Sequence, residues 1–82
     1  MSFSSHRRAL QDDSISLEHR ASHARSCALH VANKLGVKRE VVIEILTQRT
    51  GVNLHAAPSG DALLVAFKFL EALRQGEERL DI

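Results

Sequence analysis

The stretch ALHVANKLGVKREVVIEILT, residues 28–47, decides the fold of this chain, because two helical patterns meet in it around one glycine. Apolar residues recur at helical spacing before Gly36 and again after Lys38. Glycine at the end of a periodic segment commonly stops a helix, since it adopts positive φ at low cost. The stretch therefore predicts a helical corner, with one helix ending at Leu35 and a second over residues 38–49.

Upstream of this corner, the apolar pattern predicts a long first helix over residues 15–35. Ser14 or Ser16 can cap its start, and Lys34 in its last turn suits the negative end of the helix dipole. One apolar seam follows heptad spacing along the helix: Leu17, Ala21, Ala24, Ala28, Val31 and Leu35. Its alanines let another backbone approach closely. The partner is either another helix of the same chain or the same helix of a second copy.

Downstream of the corner, two further segments carry apolar residues. The second helix has a predicted buried stripe: Val41, Val42, Ile45 and Leu46. Residues 52–58 are predicted to form a loop, since Pro58 breaks a helix and Ser59 can cap the next one. Residues 60–75 form a third predicted helix that is apolar on almost every side. Such a helix is either central in the core or covered by a partner.

These elements predict an all-α protein, a compact bundle of three to four helices with a helix–turn–helix-like corner. The helical domain is expected over residues 14–76. Residues 1–13 are polar and are predicted to form a flexible N-terminal tail. Residues 77–82 are predicted to form a polar C-terminal tail.

The same twenty residues resemble the helix–turn–helix unit of DNA-binding proteins. That unit has a small residue where its helices cross and a glycine in its turn, and Ala32 and Gly36 stand at those positions. Five other positions of the unit are apolar, and here they are Val31, Leu35, Val37, Val42 and Ile45. Pro58, Ser59 and the apolar helix after them extend the resemblance, over residues 27–73, to the lambda-repressor-like class.

The resemblance implies a small transcriptional regulator that binds duplex DNA with its second helix in the major groove. Arg39 would read guanine, and Lys38 would contact phosphate. The residues that the resemblance places on DNA are Lys38, Arg39, Glu40, Glu44, Gln48 and Arg49.

A protein-binding module is the alternative function that the sequence leaves open. It would be an adaptor, an antiactivator or a phage-type inhibitor that occludes a larger protein partner. The second and third helices carry more apolar surface than one small core needs, and a surplus of this kind normally marks an interface. A homodimer is expected. The predicted interface residues are Leu17, Ala21, Ala24, Ala28, Val41, Ile43 and Leu46.

Histidine and cysteine side chains form a line along the first helix: His19, His23, Cys27 and His30. Neighbours four residues apart can chelate zinc. His55 is the only further candidate ligand, so a polar stripe is expected here and neither a metal site nor another cofactor. A cysteine on a helix surface also lacks the oxyanion donors of a catalytic site. The chain is therefore not expected to be an enzyme.

The composition limits the number of domains, the kinds of partner and the location that can be expected. The 82 residues suit one domain with a modest core, and 44% of them are apolar. A net charge of +1 gives no strong attraction to nucleic acid or to a membrane surface. One cysteine cannot form an internal disulfide, and no apolar run approaches the roughly 18 residues of a membrane span. A cytoplasmic protein without a membrane partner is expected.

Overall fold

The computed structural model describes residues 8, 12, 14–56 and 58–80. Within this part of the chain, three helices are connected by turns and loops. They are α1 (Leu17–Leu35), α2 (Arg39–Thr50) and α3 (Gly60–Gln75). The helices pack against one another, with α1 in contact with both others. The prediction of an all-α, compact helical bundle is confirmed. None of these helices is long and apolar enough to cross a membrane.

Local capping signals determine where α1 and α3 begin. The backbone N–H of His19 donates to Ser16 Oγ at 3.2 Å, and that of Ala62 donates to Ser59 Oγ at 3.2 Å. Each contact satisfies a backbone donor that a helix start leaves without a partner. Of the two caps considered for α1, the structure uses Ser16, so the helix starts two residues later than predicted.

The corner between α1 and α2 is formed as the glycine predicts. Gly36 has φ 72° and ψ 30°, which is left-handed backbone. Its N–H and that of Val37 both donate to Ala32 O, so the last turn of α1 closes on itself. The turn spans residues 36–38, and α2 follows without a side-chain cap on Lys38.

The alanine seam of α1 lies inside the chain. Ala21, Ala24, Ala28 and Val31 are 0–4% exposed, whereas Leu17 and Leu35 at its two ends are about 40% exposed. Of the two partners that the sequence left open, the structure uses other helices of the same chain. Small side chains in the middle of α1 let α2 and α3 pack closely against it.

The buried stripe of α2 differs from the predicted one. Val42, Ile43 and Leu46 are buried, whereas Val41 and Ile45 are half-buried. The prediction of a stripe centred on residues 41, 42, 45 and 46 is therefore wrong by a small rotation of the helix. The cause is that α2 packs against α1 and α3 together, and this brings Ile43 into the core.

Segments outside the helices complete the core. Val52 and Leu54, in the predicted loop, are buried with the helical residues, and Leu80 packs against the same cluster. The N–H groups of Glu77 and Glu78 donate to Ala72 O at 2.9 and 3.2 Å, which turns the chain back after α3. The predicted N-terminal tail, residues 1–13, lies outside the described residues except at positions 8 and 12.

Candidate functional site

The predicted DNA-contacting residues lie on and around one exposed face. Glu40, Glu44 and Gln48 are spaced four residues apart and form the centre of this face, while Lys38 and Arg39 lie at the start of α2. All five are exposed, and together we call them the outer face of α2. Its formal charge is zero, because two basic side chains meet two carboxylates.

Glu40 is the most constrained group on this face. Its Oε1 accepts from Arg39 Nη2 at 3.1 Å, and its Oε2 lies 3.0 Å from His55 Nε2. The hydrogen bond with His55, followed by that with Arg39, lowers the pKa of the Glu40 carboxyl. The sequence singles out His55 only as a candidate metal ligand. In the structure it links the loop after α2 to the outer face.

A change at Glu40 should alter the pH dependence of stability. A carboxyl with a lowered folded-state pKa stabilises the fold above its unfolded-state pKa, and this contribution is lost as the pH falls through the folded-state value. We expect Glu40→Gln to lower Tm near neutral pH and to match the parent chain in strong acid. Tm measured across pH tests this, with Glu44→Gln as the matched control. An equal effect of both variants would contradict the role of the His55 contact.

Arg49, the sixth residue that the resemblance places on DNA, makes contacts within the chain. Its guanidinium donates to Arg79 O, to Leu80 O at 3.1 Å and to Glu78 Oε2 at 3.4 Å. Its Cζ also lies 5.9 Å from the centroid of the Phe69 ring. Arg49 therefore fastens residues 77–80, the C-terminal segment, to α2 and α3. The backbone carbonyls of this segment accept hydrogen bonds from guanidinium N–H groups that a contact between Arg49 and DNA phosphates would need.

Removing the Arg49 guanidinium should release the C-terminal segment. Arg49→Ala deletes the hydrogen bonds to Glu78, Arg79 and Leu80, so we expect a loss of about 1–2 kcal/mol in the free energy of unfolding. Amide exchange at residues 78–80 should become about tenfold faster. Hydrogen-exchange NMR measures both quantities. Gln48→Ala, one residue earlier on the exposed surface, is the control. Unchanged exchange in Arg49→Ala would show that Leu80 packing alone holds the segment.

An apolar groove runs between the α1–α2 corner and the C-terminal segment. Its volume is about 390 Å³, and its lining is Leu35, Val37, Leu73, Gly76, Glu78, Arg79 and Leu80. Leu73 forms a buried floor, while Leu35 is 40% exposed. Glu78 and Arg79 give the groove a rim of both charges. We call it the Leu35 groove.

The predicted interface residues divide into two groups. Five of them are 0–4% exposed and belong to the chain's own core: Ala21, Ala24, Ala28, Ile43 and Leu46. They offer almost no surface to a second copy in this fold. Leu17 is exposed and Val41 is half-buried, so these two retain surface for a partner.

The histidine–cysteine line is split by the packing of α1. Cys27 is 0% exposed, and burial raises the pKa of its thiol to about 12, against a smaller opposing effect of Arg74. His19 is exposed, while His23 and His30 are half-buried. Among the described residues, no group of three histidine, cysteine or acidic side chains is placed to hold a metal ion. Cys27 is thus a small core residue rather than a member of a polar stripe.

Comparisons with known proteins add no relative from which a function could be transferred. No family model matches the chain, and neither the curated proteins nor the solved structures gave a match.

Proposed function

We propose that this chain is a small protein-binding module, an adaptor or inhibitor whose Leu35 groove receives an amphipathic helix of a larger protein partner. The observation that carries the proposal is the groove itself. It combines an apolar floor with an exposed leucine and a rim of both charges. Helix-in-groove binding uses this combination, with apolar anchors at helical spacing seated in the groove and polar residues at its edge.

The chemistry of the groove favours a helix as the occupant. Leu35, Val37 and Leu80 come from a helix end, a turn and the irregular segment after α3, so their backbones offer no continuous edge for strand addition. Its volume of about 390 Å³ is in the range of sites that hold several side chains. By covering a helix of its partner, the module would block whatever else that helix binds.

A display library of amphipathic helical peptides is the direct test. We expect selected peptides to carry apolar residues three and four positions apart. They should lose at least about tenfold in affinity for Leu35→Glu, because a carboxylate would be desolvated in the groove. The matched control is Leu29→Glu, since Leu29 is a 44% exposed leucine on the same helix. Selected peptides that bind both variants alike would overturn the proposal.

A second copy of the chain is the other occupant that this test must separate. Sedimentation velocity of the parent chain and of Leu35→Glu shows whether a dimer exists and whether it depends on the groove. A dimer that Leu35→Glu abolishes would replace the partner helix by self-association.

Duplex DNA is a second candidate, and one observation favours it. Lys38 and Arg39 are exposed at the positive end of the α2 dipole, immediately after the Gly36 turn that the helix–turn–helix resemblance requires. Against it, Glu40 and Glu44 occupy the centre of the same face, where phosphates would be repelled. Arg49 is committed to the C-terminal segment. For these reasons we rank DNA binding second.

Salt titration with a duplex of arbitrary sequence tests this candidate. Two basic contacts predict a log–log salt slope of about −2, much weaker than that of a typical repressor. Lys38→Ala combined with Arg39→Ala should abolish binding, whereas Lys68→Ala on α3 should leave it intact. Absence of any duplex binding by the parent chain at low salt would exclude the candidate.

A further inference from the structure

A charged pocket lies at the opposite end of α1 from the Leu35 groove. Its volume is about 330 Å³, and its lining is Glu18, Ala21, Arg25, Leu54, His55 and Ala56. One wall is a stripe of α1 and the other is the loop after α2. At least ten residues of α1, about 15 Å along the helix axis, separate Arg25 from Leu35. The pocket is therefore independent of the proposed partner groove.

Arg25 forms the positive end of the pocket. It is half-buried, and its Nη1 donates to Leu54 O at 2.8 Å, which anchors one nitrogen of the guanidinium to the loop after α2. A guanidinium carries five N–H donors, so one contact leaves most of them for a ligand. Among the described residues no carboxylate forms an ion pair with Arg25. A planar, partly desolvated guanidinium of this kind suits a carboxylate, which can accept two parallel hydrogen bonds.

Glu18 forms the negative end. It is exposed in the first turn of α1, seven residues before Arg25, and Ala21 lies between them on the same side of the helix. Seven residues correspond to about 10 Å along the helix axis, and both side chains line the same pocket. Leu54 and Ala56 provide an apolar wall beside this gap. The remaining titratable group of the lining, His55, lies with its Nε2 against Glu40.

We propose that this pocket binds a ligand with a carboxylate and an ammonium group at the two ends of a short alkyl chain. This is the chemistry of lysine, either as the free amino acid or as the C-terminal residue of a peptide. The carboxylate pairs with Arg25, the ammonium pairs with Glu18, and the alkyl chain lies along Ala21 and Leu54. An extended lysine separates these charges by about 7 Å, which is shorter than the axial spacing of about 10 Å between Glu18 and Arg25, so the two side chains need only lean toward the ligand.

Three small probes separate the contributions of the two charges. ε-Aminocaproate carries both groups, caproate lacks the ammonium, and hexylamine lacks the carboxylate. In NMR titrations we expect ε-aminocaproate to bind about tenfold more tightly than either of the others, with shifts concentrated at the amides of Arg25, Leu54 and His55. Equal affinity of the three probes, or shifts dispersed over the surface, would overturn the proposal.

The variant Glu18→Gln tests the negative end without touching the core. It should weaken ε-aminocaproate about three- to fivefold and leave caproate unchanged. Asp61→Asn is the matched control, because Asp61 is the first-turn acid of α3 and lies outside the pocket lining. An equal effect of the two variants would show that helix-start charge, rather than the pocket, is responsible. Arg25→Gln should abolish binding, but it also removes the contact with Leu54. The comparison of Glu18→Gln with Asp61→Asn therefore decides the outcome.

The source of the ligand is distinguished by comparing free lysine with a short peptide that ends in lysine. Tighter binding of the peptide, lost on C-terminal amidation, assigns the pocket to peptide C-termini. Tighter binding of the free amino acid assigns it to a metabolite. Failure of both, after ε-aminocaproate has failed, overturns the proposal and leaves the Leu35 groove unaffected.

Discussion

Replacing Ala24 with arginine is expected to abolish the cooperative unfolding transition of this chain. Ala24 is 0% exposed and lies where α1 meets its neighbours. A guanidinium at this position is too large for the space, and its charge is desolvated without a partner, which costs several kcal/mol. The free energy of unfolding of small domains is of order 5–15 kcal/mol, with the smallest chains near the lower end.

Far-UV circular dichroism during heating measures this effect. Ser22→Arg, on the exposed side of the same helix, is the matched control and should melt like the parent chain. A cooperative transition of Ala24→Arg within a few degrees of the control would show that the seam opens to solvent. Ala24 is also one of the residues predicted from sequence to lie in a dimer interface. Because Ala24 lies in the core of one chain, the substitution to arginine affects folding before it can affect dimerisation.

Truncation of Leu46 to alanine should have the second largest effect. Leu46 is 0% exposed in the centre of α2, and leucine-to-alanine changes in cores cost about 2.7–5 kcal/mol, because they combine lost burial with a cavity. In a domain of this size each kcal/mol lowers Tm by about 4–8 °C, so a decrease of more than about 10 °C is expected.

Urea denaturation gives the corresponding free energies. Leu64→Ala on α3 is the control, since Leu64 is 41% exposed and its truncation should cost less than about 1 kcal/mol. Comparable losses for Leu46 and Leu64 would mean that α2 is not part of the core that the chain needs for folding.

The helices could be predicted from sequence because their boundaries depend on local chemistry. Ser16 and Ser59 accept hydrogen bonds from residues three positions later, and Gly36 ends α1 with left-handed backbone. Each of these signals acts within four or five residues, so the printed sequence contains it completely. The predicted bounds of the helices accordingly agree with the structure within two residues.

Packing between helices was harder to predict, because periodicity gives the direction of an apolar face only approximately. Ile43 enters the core because α1 and α3 both cover α2, a fact set by the whole bundle. The sequence predicts Leu54 in a loop, which is correct for its backbone, yet its side chain is fully buried. A pattern search limited to helices has no signal for such a residue.

The candidate sites, like the packing, could be predicted only where local sequence patterns determine them. The exposure of Glu40, Glu44 and Gln48 followed from helical spacing. The contact of Arg49 with the C-terminal segment joins residues 29–31 positions apart, and the contact of Arg25 with Leu54 joins residues 29 apart. No local pattern encodes these pairs, so neither the contacts of Arg49 with the C-terminal segment nor the charged pocket could be predicted without the folded chain.

Because Cys27 is buried, the rate at which a reagent labels its thiol measures how the helical bundle opens. Cys27 is the sole cysteine of the sequence, so its labelling reports on one position, which is buried between the helices. An exchange reagent such as a disulfide dye can reach the sulfur only when the bundle parts. At low reagent concentration the labelling rate therefore gives the equilibrium population of open molecules, and at saturating reagent it gives the opening rate itself. Since the sequence contains no tryptophan or tyrosine, this thiol replaces intrinsic fluorescence as the natural probe of its kinetics.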